Sequence, residues 1–319
     1  MSDRIDVHFH PVPEGFKRAA AAAGLGTTIA SGFPRWTPEL SLEVMDRHGI
    51  ATAITSISQP GVHFGDDAAA RALARECNED AAALMQRWPS RFGAFATVPM
   101  PDVDGALREI EHALDVLKLD GVCLLASYGE RFIGDAAFEP VLQLLDEREA
   151  VVFLHPNFHP SSRRIQWALP GFLTEFPIDT TRATTHLVVS GATARFRRIR
   201  FILSHAGGAL PYLAWRLSVA PLVDKRFAEH TGASILGEIG RFWYDTAQAA
   251  GDPVLATLRE VTTPDHILFG SDWPYCPETV VQATTDAVAG SRVLDAEAIA
   301  GTFRNNALAL FPRLAHLSS

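Results

Sequence analysis

Val151-Val152-Phe153-Leu154-His155 is a run of four apolar residues that ends on an imidazole. The same pattern recurs in Ile5-Asp6-Val7-His8-Phe9-His10, in Phe201-Ile202-Leu203-Ser204-His205 and in Ile267-Leu268-Phe269-Gly270-Ser271-Asp272. Near-continuous apolar runs of this length mark parallel strands covered on both faces. Outward from these four, the candidate strands are 4–10, 50–58, 91–98, 120–125, 151–155, 200–205, 241–246 and 266–272. Amphipathic helical patterns lie between them, at 38–48, 67–88, 104–117, 136–148, 211–229, 253–261 and 277–289, with a terminal one at 296–310. Thr37 is an N-cap for the first of these and Gly49 closes it. Strand–helix alternation of this length predicts an α/β chain, a single (β/α)8 TIM barrel over 1–319. An open doubly wound sheet lacks support, because no G-x-G-x-x-G follows the first strand. Two insertions, 11–37 after strand 1 and 157–197 after strand 5, are expected to build a pocket or a subunit interface.

Composition narrows the class. The 319 residues are 47% hydrophobic and 20% charged, as in an ordinary globular protein. The net charge of -9 comes from interspersed signs, so no basic track for a phosphate backbone exists and nucleic acid is excluded as a partner. No run reaches the ~18 apolar residues of a membrane span, so no membrane association is expected. Met1-Ser2-Asp3-Arg4 leads into a strand-like run without a basic-then-apolar leader. Cys77, Cys123 and Cys276 are odd in number and contain no C-x-x-C pair. They predict neither a disulfide framework nor a thiolate metal site, and they fit a reducing cytoplasm.

The strand ends carry the chemistry. Strict alternation puts Asp6, His8 and His10 on one face, towards the barrel axis, and Ile5, Val7 and Phe9 on the other. His8 and His10 can then reach one divalent ion, with His155 as a third nitrogen ligand and Asp272 as an oxygen ligand. A buried carboxylate needs a cation or several donors. Zn²⁺ suits such a set, and Mn²⁺ is the harder alternative. His205, followed by Gly207-Gly208, reads as an acid–base group beside the ion or as a further ligand. Asp272 is the second candidate for moving protons. For the substrate pocket the candidates are Phe16, Trp36, Trp273 and Tyr275 as aromatic walls, with Phe33 and Phe158 beside them. His159 is a further lining candidate, and Arg163, with Arg35 and Arg164, is a candidate carboxylate clamp.

Asp6-x-His8-x-His10, His155-Pro156, Ser204-His205-Ala206-Gly207-Gly208 and Gly270-Ser271-Asp272-Trp273-Pro274 resemble the amidohydrolase superfamily. Within it they look like the 2-amino-3-carboxymuconate-6-semialdehyde decarboxylase branch. Residues 42–59 and 176–191 are similar to 6-methylsalicylate decarboxylases. The resemblance implies a barrel with one divalent ion, held by His8, His10, His155 and Asp272, with His205 as the catalytic histidine. It implies non-oxidative decarboxylation of a small aromatic carboxylic acid, with an ortho hydroxyl, and a homodimer. A metal-dependent hydrolase or lactonase, attacking a small cyclic ester or amide with a metal-activated water, is the second reading. Binuclear members often use a carboxylated lysine. Lys17, Lys118 and Lys225 end no expected inner strand, which favours a mononuclear site.

Overall fold

The computed structural model describes residues 3–25, 32–163 and 170–316. Eight strands form one sheet in chain order. They are β1 (Arg4–Phe9), β2 (Ile50–Thr55), β3 (Phe92–Ala96), β4 (Gly121–Leu125), β5 (Val151–His155), β6 (Arg200–Leu203), β7 (Trp243–Asp245) and β8 (Ile267–Leu268). Neighbours pair in parallel throughout, with Leu125 opposite His155 and Leu154 opposite Leu203. The chain after β8 bonds back to β1. Val7 N–H donates to the Phe269 carbonyl (3.0 Å), Asp272 N–H to the His8 carbonyl (2.8 Å) and His10 N–H to the Trp273 carbonyl (2.8 Å). These bonds bring the first strand beside the last, and the result is the expected (β/α)8 barrel.

Side-chain periodicity explains the layers. Ile54, Phe95, Phe153, Ile202 and Leu268 meet inside the ring, closed from one end by Leu310, Phe311 and Leu314. The alternate residues Val122, Leu124, Val152, Leu154, Phe201 and Leu203 pack outward against helices. Thr37 caps helix Pro38–Arg47 by accepting from Leu40 N–H (3.0 Å), as expected, and Asp66 caps helix Asp67–Arg87. Among the described residues no helix is long and apolar enough to cross a membrane.

Several boundaries differ from expectation, each for a local reason. Stretch 211–229 is broken into helices Leu210–Ser218 and Ala220–Val223 and a tight turn at Lys225–Phe227. Helix Gly232–Gly240 is an addition; its glycines hide it from propensity, and a Thr231/Ser234 capping box starts it. Stretch 11–37 holds a helix, Glu14–Ala22. Within 157–197, helix Glu175–Val189 is the ordinary crossover between β5 and β6, so the added chain is only what precedes it. Alternation in β1 also fails. Asp6 pairs with Ala53 and Phe9 with Thr55, three steps against two, which is a bulge. Ile5 and Val7 therefore join the interior cluster while Phe9 packs outward beside Val44, Met45 and Trp273.

Candidate metal centre and active site

The ring brings His8, His10, His155, His205 and Asp272 together at the C-terminal ends of its strands, and all five are buried. Candidate ligand atoms of His8, His10 and His155 lie within 4.8 Å of one another, as do those of His8, His205 and Asp272. One oxygen of Asp272, Oδ1, is 3.2 Å from His10 Nε2 and 3.5 Å from His8 Nε2. The other, Oδ2, is 3.5 Å from His205 Nε2 and accepts from the Gln248 side-chain amide at 2.7 Å.

The far side of each ring is as informative as the near side. His8 Nδ1 is 2.7 Å from Asp245 Oδ2, His10 Nδ1 is 2.8 Å from the Ser56 carbonyl, and His155 Nδ1 is 2.9 Å from the Pro156 carbonyl. All three partners are acceptors, so all three Nδ1 atoms carry the proton, and each Nε2 is the nitrogen left to offer a lone pair to a cation, which at His8 displaces any proton held there. His8 Nε2 and His10 Nε2 are buried without any hydrogen bond. Three free imidazole nitrogens and a carboxylate fit a divalent cation. His205 differs, since its Nδ1 is buried with no partner.

Electrostatics follow from burial and from the two carboxylates. Burial pushes His8 down, but Asp245 and Asp272 outweigh it and raise its pKa to about 10. His10 is lowered, chiefly by burial, and His155 is held well below its ordinary value by burial and by the neighbouring rings. Burial opposes ionisation of Asp272, yet the charge on His8 and the close imidazoles of His10 and His205 hold it well below the usual carboxylate range. Asp6 accepts from the backbone N–H groups of His8 (3.0 Å) and Ser271 (3.1 Å), and burial raises its pKa to about 7.

The turn after β6 is unusual. His205, Ala206, Gly207 and Gly208 all have positive φ, at 52°, 55°, 72° and 63°. A Cβ on Gly208 would lie 2.1 Å from the Pro177 carbonyl oxygen, so that position must be glycine. Gly270 serves close approach instead, because a Cβ there would meet His8 Cβ at 2.8 Å.

A cavity of about 260 Å³ opens above His155 and Asp272, lined by Phe158, Phe172, Phe176, Val280, Tyr275 and Gln248 among others. Of the ten residues the sequence nominates for the pocket, Phe158 and Tyr275 lie on this wall, and the Tyr275 hydroxyl is buried without a partner. The lining does not include the other described ones. Phe16 is fully buried in a cluster with Val12, Ile57 and Leu73. Trp36 faces a separate cavity beside Pro11 and Trp88. Trp273 packs outward on Phe9, with ring centroids 4.8 Å apart. His159 stacks on Phe132 and bonds to Ser161. The side chain of Arg163 and all of Arg164 lie outside the described residues, and Arg35 is exposed. Gln248, Phe172, Phe176 and Asp245 escape the sequence reading. Asp245 alone carried a usable signal, as a carboxylate at the end of an expected strand.

The amidohydrolase family model matches residues 5–313. This chain belongs to the amidohydrolase family. It is 39% identical over 319 residues to a 6-methylsalicylic acid decarboxylase of Aspergillus aculeatus, covering 98% of this chain and 96% of that one. It is 36% identical over 316 residues to the 6-methylsalicylic acid decarboxylase of Penicillium expansum, covering 98% and 97%. Its fold matches a dihydroxybenzoic acid decarboxylase of Polaromonas, solved with manganese and the inhibitor 2-nitroresorcinol. That match has a TM-score of 0.83 at 24% identity, over 98% of this chain and 97% of that one. The named relatives are carboxy-lyases of this family.

Proposed function

We propose that this enzyme releases CO₂, without oxidation or net uptake of water, from a small aromatic acid bearing a hydroxyl ortho to the carboxylate. The reading rests on three imidazoles, each fixed at Nδ1 by an acceptor, whose Nε2 atoms converge at the foot of an aromatic-lined cavity. At about 260 Å³ the cavity lies just below the ~300–1,000 Å³ usual for drug-sized ligands, a size suited to one substituted ring. The 6-methylsalicylate decarboxylases, similar along nearly the whole chain, supply the substrate class.

We assign His8, His10, His155 and Asp272 as ligands of one divalent ion, Zn²⁺ on the strength of three nitrogen donors, with Mn²⁺ the competitor because the Polaromonas structure holds it. Once bound, the ion supplies Lewis acidity to the substrate oxygens. His205 carries the proton. It lacks the Nδ1 anchor of the three ligand rings, and its Nε2 faces Asp272 Oδ2 at 3.5 Å. The proton goes to the ring carbon that bears the carboxylate. The bond from that carbon to the carboxylate then breaks, its electron pair returns to the ring, and CO₂ leaves. Gln248 fixes the Asp272 carboxylate, and Phe158, Phe172 and Phe176 exclude water from the ring.

Metal analysis followed by a panel of hydroxybenzoates and lactones tests the reading. CO₂ release proportional to substrate loss is expected. Hydrolysed products without CO₂ would instead make the chain a hydrolase, and purified protein without a stoichiometric divalent ion under any supplementation would end the ligand assignment.

The reading extends to one catalytic domain over 1–319, to a cytoplasmic location in keeping with three buried, unpaired cysteines, and to a homodimer. Support for the dimer comes from Tyr212, Trp215, Leu222 and Val223, which are 74–87% exposed after the His205 turn. Two aromatics of ~150–250 Å² each and two aliphatics approach the ~800 Å² per partner of a standard interface. Trp215→Glu is expected to yield monomers in sedimentation equilibrium.

A further inference from the structure

We propose that Asp245 is the positioning residue that links the ion to the catalytic turn. It holds His8 in the tautomer that presents Nε2, and with its other oxygen it holds the backbone of His205. The inference rests on the assignment of His8 as a ligand.

The geometry leaves one chemical solution. Asp245 sits at the end of β7 and is fully buried. Its Oδ2 is 2.7 Å from His8 Nδ1. Its Oδ1 accepts from His205 N–H (2.9 Å) and Ala247 N–H (3.0 Å). Two of these three partners are backbone donors, and they cannot change role. The third must be a donor if His8 is to offer its Nε2 lone pair. Only a side chain that accepts through both ends meets this demand.

An amide of the same shape fails whichever way it turns. With its oxygen on the backbone groups, its NH₂ faces His8 Nδ1, which must then give up its proton. The proton moves to Nε2 and blocks the ligand position. With its oxygen on His8, the NH₂ points at two N–H donors and leaves both unpaired in a buried site. His10 and His155 are held by carbonyls, so a side-chain change cannot flip them in the same way. The carboxylate is therefore a lever on one ligand and on the residue that moves the proton.

Asp245→Asn tests this by chelator competition for Zn²⁺, read beside ¹⁵N-histidine spectra of the zinc-loaded protein. The expected result is a 10–100-fold loss of Zn²⁺ affinity, with the wild-type His8 spectrum showing a protonated Nδ1 and a ligated Nε2. Tyr244→Phe serves as the packing control. Tyr244 shares the strand with Asp245, and the change removes the bond from its hydroxyl to the Ile239 carbonyl in helix Gly232–Gly240, which should leave affinity within about twofold of wild type. Equal affinity in wild type and Asp245→Asn overturns the proposal while leaving the metal site intact. A wild-type protein that binds no Zn²⁺ overturns the site assignment and the proposal together. If Asp245→Asn does not fold, the wild-type spectrum decides, because His8 ligating through Nδ1 would overturn the proposal.

Discussion

His205→Asn separates a proton carrier from a metal ligand, and the structure sets the size of the effect. Asparagine tolerates the left-handed backbone that His205 adopts at φ 52°, so the turn can persist. The bond from its backbone N–H to Asp245 does not involve the side chain. Removing the ring deletes a buried Nδ1 with no partner, so the change in stability is expected to be small, about 1 kcal/mol or less. The Nδ1 anchors of His8, His10 and His155 stay in place, and metal affinity should fall less than about tenfold. The shorter side chain no longer brings a titratable nitrogen to Asp272 Oδ2, which His205 Nε2 approaches at 3.5 Å. Loss of a positioned general acid slows turnover by ~10²–10⁴-fold, equivalent to about 3–5.5 kcal/mol of barrier. CO₂ release kinetics, metal competition and thermal melting on one preparation read all three quantities. The reasoning fails if affinity drops a hundredfold and excess metal restores turnover, for then His205 is a ligand. Unchanged turnover would refute it equally.

Chelating the ion should leave a folded but less stable protein. At free metal ~1,000 times Kd the bound ion contributes about 4 kcal/mol, so a melting temperature unmoved by chelator would contradict the site. Phe153→Ala should cost about 3–5 kcal/mol, because the ring is fully buried, stacked on Phe95 and edge-on to His8; urea denaturation measures it. Asp179 is buried, accepts from Asn157 N–H (2.8 Å) and the Ser127 hydroxyl, and has its pKa raised to about 6, chiefly by burial. The folded protein therefore binds this proton more tightly than the unfolded chain. Its contribution is complete below pH ~4 and is lost as pH rises through ~6, by up to about 3 kcal/mol. Asp179→Asn should flatten that part of the stability–pH curve, and a mutant curve parallel to wild type would exclude the role.

The barrel and its five converging side chains were legible because both signals are local. A strand shows as a short apolar run, and each candidate ligand or proton carrier sits on or just past its end. The pocket was legible only at Phe158 and Tyr275, because a cavity wall and a core make the same request of a sequence. Phe16, Trp36 and Trp273 are large and apolar, as a wall would be, yet they pack into core clusters and none of the three lines the cavity. Phe172 and Phe176 form the wall instead, from a segment whose approach to β5 no periodicity reveals. The bulge in β1 was hidden for a related reason, since alternation predicts the faces only while the register holds.

Asp245 shows how the local and non-local parts combine. Four successive residues from His205 hold positive φ, two of them not glycine, and each non-glycine of that kind costs ~1–2 kcal/mol. Such a turn persists only if its surroundings over-determine it. The Asp245 carboxylate bonds the first N–H of the turn, and Thr181 Oγ1 receives Ala209 N–H just beyond its end at 2.8 Å. The strain is thus held at His205, the residue proposed to carry the proton. The group that holds it is the one that fixes His8, 237 positions away in sequence. A carboxylate at a strand end reads from sequence as a possible ligand. In the fold, its two oxygens are already committed to His8 and to the backbone of the turn at His205.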